Sequence, residues 1–275
     1  MKLSNIFLST LAVLLCCTAC SKDEESFKGK DADASLSIAV KAAGSAVTKG
    51  FHPNDENELA GEAKVNNLSV LVFDESGAQL IGYGWQATNS EGEASILNVP
   101  AMTMRAQIVI VSNTPENSLA GVTSYSDFES KLAQLADQSQ SNLVMSSPVI
   151  TTQAPLVKGD NYLGYASMGS ENINGIAEPV EITRLAARLD LVNVKTDFTK
   201  TLLRNRTVRV EEVTILNQST ASRFFSRDYW GVVMATGHLG NSDATALNRD
   251  IANGSPINDT PYVHYVCLLY TSPSP

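Results

Sequence analysis

Apolar and polar positions alternate along most of this chain with a period of two, as in strands buried on one face. In residues 34–40, Leu36, Ile38 and Val40 fall on one face, and Ser35, Ser37 and Ala39 on the other. Residues 65–73 (VNNLSVLVF) read as a strong strand, and Asp74-Glu75-Ser76-Gly77 as a turn into a strand over 79–85. Further strands are predicted over 95–99 and 104–112. The second contains the unbroken run Ile108-Val109-Ile110-Val111, the pattern of a central strand covered on both faces. Short strands follow within 142–153 and 162–168, and another over 207–216. Residues 180–194 (VEITRLAARLDLVNV) fit a helix through Ile182, Leu185, Ala186 and Leu189, but the alternation continues through Val192 and Val194 and favours one long strand. Ser126-Asp127-Phe128-Glu129 resembles a capping box, with Phe128, Leu132, Leu135 and Ala136 at helical spacing behind it, so one short helix is predicted. Residues 222–229 open a loop with the aromatic cluster Phe224, Phe225, Tyr229 and Trp230, and 237–260 is polar and turn-rich. About ten strands and one helix predict an all-β sandwich architecture. A domain boundary is placed at Glu178-Pro179, after the Gly/Asn-rich stretch 169–175.

The first residues follow another pattern. Lys2 precedes a short apolar run from Ile6 to Leu15, and Leu15-Cys16-Cys17-Thr18-Ala19-Cys20 places small residues just before a cysteine. That is the form of a bacterial lipoprotein signal cleaved before Cys20, which would become the acylated N-terminus. The run is too short for a comfortable membrane span. Residues 21–33 are polar and read as a flexible tether. The Ser-Lys-Asp-Glu-Glu run after Cys20 resembles an acidic signal that sends some lipoproteins to the outer leaflet of the outer membrane. Residues 43–58 lack an apolar period and read as an exposed, protease-accessible loop.

Composition narrows the function classes. The 275 residues are 43% hydrophobic, enough for a sizeable core, and carry a net charge of −9. Phosphate backbones repel such a surface, and no basic patch with interleaved aromatics is present, so no nucleic-acid partner is expected. Cys16 and Cys17 leave with the signal and Cys20 takes lipid, so no disulfide is expected in an exported fold. Residues 267–275 (CLLYTSPSP) are what the end of a common transposase-based sequencing adapter would encode. They are expected to be translated adapter, with the natural sequence breaking off near Val266.

The search for catalytic chemistry is empty. His52, His238 and His264 are far apart and form no metal-ligand spacing. No GxSxG, SxxK or Walker motif occurs, and Gly82-Tyr83-Gly84 lies in a strand without the helix that would cradle phosphate. Asp55-Glu56-Asn57-Glu58 lacks EF-hand spacing and reads as a solvated acidic loop. Neither enzyme activity, cofactor nor metal is predicted. The cluster from Phe224 to Trp230 could stack on a sugar, or belong to a core or an interface.

Taken in order, a lipoprotein signal, an acidic tether, one alternating strand and a loop with a basic residue precede VNNLSVLVFDESG, RAQIVIVSNTP and ITRLAARLDL. From Met1 to about Asn217 this series resembles the fimbrillins of anaerobic oral and gut Gram-negative bacteria, the subunits of lipoprotein-derived (type V) pili. The resemblance implies two transthyretin-like β-sandwich domains, the second incomplete. It divides the chain into a signal peptide (1–19), a lipidated tether with a removable first strand (20–49), an N-terminal sandwich (50–178), a partial C-terminal sandwich (179–266) and the adapter-like tail (267–275). It further implies a lipid-anchored precursor cut by a trypsin-like protease between Lys49 and Gly50, where the family usually has arginine. Lys41 is a less accessible second choice. The strand carrying Leu36, Ile38 and Val40 would then leave, and a neighbouring subunit's strand would fill the groove. The implied partners are other pilus subunits, the outer membrane through the precursor's lipid, and host or bacterial surface receptors. The implied location is the outer-membrane surface, then the fimbrium. A permanently lipidated surface protein binding glycan through Phe225, Tyr229 and Trp230, or a pilus anchor or tip subunit, is the alternative.

Overall fold

In a computed structural model of the chain, the described residues are 32–43, 59–191, 193–213, 221–224, 232–233, 245–254, 256–257 and 262–267. Five strands come first: β1 (Ala34–Ala42), β2 (Lys64–Asp74), β3 (Leu80–Glu91), β4 (Glu93–Ala101) and β5 (Ala106–Ser112). Helix α1 (Tyr125–Ser130) and β6 (Leu132–Gln134) follow, then β7 (Met145–Ser146), β8 (Ile150–Thr151), β9 (Gly159–Leu163) and β10 (Val180–Arg184). All of these strands except β6 join one sheet in the order β3-β2-β5-β7-β10-β1-β4, with β8 on β5 and β9 on β1.

The sheet folds over so that its two ends meet. An ideal Cβ on Gly82 of β3 would lie 2.4 Å from the Pro100 carbonyl oxygen of β4, and one on Gly84 2.8 Å from a Val99 methyl. The glycines that lacked a phosphate-binding helix therefore let β4 cross directly over β3. Inside the fold lies a core of Leu36, Ile38 and Val40 with Leu68, Val70, Val72, Ile96, Val99, Ile108, Ile110, Leu163, Val180 and Ile182. A second core covers the opposite face of β2 and β5, with Leu71, Phe73, Val109 and Val111 packed under Tyr125, Phe128, Leu185 and Phe224. All seven residues of β5 are buried, because each of its faces meets a different core. The predicted turn after β2 is built by Asp74, whose Oδ1 accepts hydrogen bonds from Ala78 N (2.8 Å) and Ser76 Oγ (3.0 Å).

Beyond β10 lie β11 (Ala186–Leu191), β12 (Val194–Lys195), β13 (Thr207–Val213), β14 (Ala221–Arg223), β15 (Val232–Val233), β16 (Thr245–Ala252), β17 (Pro256–Ile257) and β18 (Tyr262–Cys267). Here β11 pairs with β18, β12 with β17 and β13 with β16, all antiparallel. β14 pairs with both β15 and β6, tying this part of the chain to the loop after α1. The chain is all-β with a single α-helix among the described residues.

Several local expectations need correction. The helix is capped two residues earlier than the proposed capping box. Ser124 is its N-cap and accepts from Asp127 N (3.1 Å), while Asp127 Oδ2 accepts from Thr123 N (3.1 Å). It also ends at Ser130, because Leu132, Ala133 and Gln134 pair with β14. The long strand over 180–194 is broken at Leu185, whose N–H donates to the Val144 carbonyl while its side chain enters the second core. β10 stays in the first sheet, so residues past the boundary drawn at 178/179 pair with β1 and β7. Residues 166–171 form a 3-10 turn instead of continuing β9, and β14 and β16 occupy segments read as loop. Tertiary pairing decided the helix end and the placement of β10, β14 and β16 against local pattern, while the helix start is set by the local Ser124 and Asp127 caps.

The β3–β4 crossing has a measurable consequence. Gly82→Ala should lower the urea-unfolding stability by about 1–3 kcal/mol, since the backbone carbonyl of Pro100 must move to admit the methyl. Gly92→Ala meets no atom within 4 Å but sits at φ +80°, so it should cost only about 1 kcal/mol of strain. Equal effects at the two positions would refute the crossing as the constraint.

Candidate functional site

Of the residues that drew attention in the sequence, Leu36, Ile38 and Val40 lie in β1, which fills a slot in the first sheet. Leu36, Ile38 and Val40 are each fully buried (0% exposed). On one side β1 runs antiparallel to β4, with Leu36 opposite Val99 and Ile38 opposite Ile96. On the other side it runs parallel to β9 (Ile38 opposite Leu163) and then to β10 (Val40 opposite Val180). The slot is therefore lined by apolar side chains below and by strand edges left and right. Between Leu36 and Ile38 the register shifts against β4, where Leu97 and Asn98 oppose Ser37 alone. Asn98 takes φ 56°, and its N–H donates to Ser37 Oγ (3.3 Å).

Both ends of the slot are fastened. At the entry, Asp33 accepts from Thr103 N (2.8 Å), and its carbonyl accepts from Gly159 N (3.0 Å). The Thr103 bonds hold the Asp33 carboxyl below its ordinary range. At the exit, Ala43 N donates to the Ile182 carbonyl (2.8 Å) and Lys41 lies 3.5 Å from Glu181. This last pair is exposed and contributes little. The chain then enters residues 44–58. Cys20, the acidic run just after it, Lys49, Gly50, the 55–58 acidic run and Phe225, Tyr229 and Trp230 all lie outside the described residues. Phe224 is buried and stacks on Phe128 at 5.3 Å between centroids, so it is core and not a sugar platform. Cys267, assigned to the adapter-like tail, closes β18 opposite Ala186 and is buried, which raises its thiol pKa. Residues 268–275 lie outside the described residues.

A cluster that the sequence did not reveal sits where β2 begins. Glu62 is 3% exposed. Its Oε2 accepts from Arg188 Nη1 (2.7 Å) and Leu59 N (3.0 Å), its Oε1 from Tyr265 Oη (2.7 Å), and its carbonyl from Arg184 Nε (3.0 Å). Arg188 Nε also donates to Asp190 (3.0 Å). Burial alone would lower the Arg188 pKa, but its carboxylate partners more than offset this and raise it. The only signal available in sequence was two arginines inside the apolar run ITRLAARLDL, which require a carboxylate or carbonyls when buried.

A cavity of about 310 Å³ opens beside β6, lined by Asn67, Asn113, Thr114, Leu119, Val144 and Phe224 among others. Its amides are largely occupied within the fold. Asn113 accepts from Asn66 N and donates to the Lys64 and Leu143 carbonyls (each 2.7 Å), and Asn67 Oδ1 accepts from Thr114 N (3.2 Å). These bonds read as a brace across loop ends and not as a recognition surface.

Comparison with known proteins bears directly on the slot. The profile of the major fimbrial subunit protein (FimA) matches residues 34–184, from the first residue of β1 to the last of β10. The chain belongs to the fimbrillin family. A second profile, the C-terminal domain of Fim1C-like fimbrium tip subunits, matches residues 185–271. The chain is 46% identical to a Parabacteroides distasonis protein named as fimbrium tip subunit Fim1C, over 96% of this chain and 70% of that protein. It is 27% identical to the major fimbrium subunit FimA type-2 of Porphyromonas gingivalis, over 100% of this chain and 65% of the relative. A crystal structure described as a cell adhesion protein from Parabacteroides distasonis superposes with a TM-score of 0.79 at 44% identity. That match covers 88% of this fimbrillin and 73% of the other chain. The chain thus spans about two thirds of the length of these relatives. Fimbrillins are structural subunits of surface appendages, so the empty catalytic search matches a non-enzymatic family.

Tyr265 gives the Glu62 cluster a pH signature. Burial, then the bond to the Glu62 carboxylate, raises its pKa above the ordinary 10.0. The native state holds this proton more tightly than the unfolded chain. Its contribution to stability is therefore complete below about pH 10 and declines as pH rises above it. Tyr265→Phe should cost about 1–3 kcal/mol at neutral pH by leaving Glu62 Oε1 unpaired. It should also flatten the alkaline loss, read as urea midpoints between about pH 8 and about pH 11. Tyr83 and Tyr165, whose pKa values burial also raises, keep some alkaline dependence in the variant.

Proposed function

We propose that this fimbrillin is a tip or other minor subunit of a surface fimbrium, delivered as a lipoprotein acylated on Cys20 and activated by a cut between Lys49 and Gly50. The cut severs β1 from β2. Departure of residues 20–49 would then vacate the slot between β4 and β9/β10, and a strand from another subunit would take its place. Assembly is thus donor-strand exchange with other pilus subunits. The outer membrane is a partner only while the precursor keeps its lipid, and adhesion to host or bacterial surfaces follows from placement at the tip. The Fim1C-like profile and the relative named as a tip subunit support the tip position.

One observation carries the reading: a strand buried along its whole apolar face and paired on both edges is followed directly by residues 44–58, whose composition reads as protease-accessible. Leu36, Ile38 and Val40 together withhold three large side chains from water, each contributing about 1.5–3 kcal/mol. An empty slot would expose their contact surface and leave two strand edges unpaired. Such a slot strongly favours an incoming strand of the same alternation. β1 itself runs antiparallel to β4 and parallel to β10, and a replacement in the same direction would reproduce its pairing.

The test uses full-length protein treated with a trypsin-like protease. The expected product begins at Gly50 and forms subunit ladders, and Lys49→Ala blocks both. A product cleaved at Gly50 that remains monomeric in the presence of other pilus subunits would sink the proposal. Ile38→Ala should destabilise the uncut precursor by about 2–5 kcal/mol by leaving a core cavity. It should leave the assembled fibre's resistance to denaturant unchanged, because the altered strand is no longer in it.

A further inference from the structure

We propose that the Glu62 cluster is a strut that keeps β11 and β18 fixed to the first sheet while the β1 slot is empty or changing occupant. This rests on the reading of β1 as a replaceable strand. Glu62 stands four residues after the segment 44–58, on the side of Lys49 that the proposed cut would retain. The turn that presents it is closed by bonds from Glu62 N to the Leu59 carbonyl (3.1 Å) and from Lys64 N to the Gly61 carbonyl (3.1 Å). Gly61 supplies the positive φ of 90° that this turn requires.

The strut's partners come from three places in the chain. Arg184 ends β10, 122 residues beyond Glu62; Arg188 lies in β11, 126 beyond; Tyr265 lies in β18, 203 beyond. None belongs to β1, and none of the strands that pair with β1 supplies the Glu62 carboxylate's side-chain donors. Apart from the strut, β11 is held by its covalent continuation from β10, by Leu185 in the second core and through β14 on β6, and β10 itself loses one edge partner when β1 leaves. A buried carboxylate held by a guanidinium, a phenol and an amide is intolerant of partial disengagement, because any separation strands a charge in low dielectric. The junction therefore stays closed or opens completely, which suits a subunit that must hold its form during exchange. The side chains also divide the work by direction: Arg188 bridges Glu62 to Asp190 along β11, while Tyr265 fastens the neighbouring strand.

Backbone hydrogen exchange, read by mass spectrometry on the full chain before and after cleavage in 44–58, tests this. In the unaltered protein, amides of β11 and β18 should keep their protection after β1 departs. In Glu62→Ala, those amides should exchange at least tenfold faster in the uncut protein already, with β2 and β5 unchanged. Unchanged protection of β11 and β18 in Glu62→Ala would overturn the strut. So would their loss of protection in the cleaved, unaltered protein. If Glu62→Ala does not fold, Tyr265→Phe and Arg188→Met replace it, with a few-fold acceleration expected in β18 and β11 respectively and no acceleration counting against the strut. Failure of β1 to leave after cleavage would contradict the replaceable strand alone, since the uncut arm reads the strut without it.

Discussion

Everything in this fold depends on one strand being enclosed on three sides. β1 is at once part of the apolar floor, through Leu36, Ile38 and Val40, and the bridge between β4 and the β9/β10 edge. Without it, the sheet order β3-β2-β5-β7-β10-β1-β4 loses the link that carries β4 round to meet β3. Strand enclosure of this kind combines two energies that usually belong to different strands. Burial of branched side chains is a feature of central strands, and closure of an open edge a feature of terminal ones. Both energies here rest on alternating apolar residues and backbone pairing alone.

The rest of the molecule is arranged to tolerate that demand. β2 and β5 are covered on both faces, so the second core under Phe128 and Phe224 is separate from the slot. The corner where β3 and β4 cross relies on Gly82 and Gly84 as well as on β1. Glu62 ties β11 and β18 to the turn before β2. Cohesion is thus divided between β1, which relies on simple hydrophobic alternation, and the other parts, which rely on specific contacts at single residues.

Much of this architecture is visible in the chain. The alternation in 34–40, the double-faced run at Ile108 to Val111 and the Asp74 turn all depend on neighbours in sequence, so local pattern sufficed to place them. The break at Leu185 was not visible, because both 180–184 and 186–191 alternate. Only the Val144 carbonyl and the second core decide that the chain turns there. Helix α1 was foreseen but its start and end were not. Ser124 and Ser126 are equivalent cap candidates until Thr123 is found bonded to Asp127, and β14 claims residues that the helical spacing would have used. Glu62 was hidden for a related reason: one glutamate in a polar stretch carries no mark of burial, and its partners lie 122 to 203 residues away.

The sequence by itself determined the all-β class, the candidate lipid site at Cys20, and which face of the first strand is apolar. These follow from residue type and period alone. Tertiary structure decided that this strand lies between two partners, that Gly82 and Gly84 permit a crossing, and that Glu62, Arg188 and Tyr265 meet. Those facts depend on which distant edges and charges come together, and a period of two states that a face is apolar without saying what will cover it.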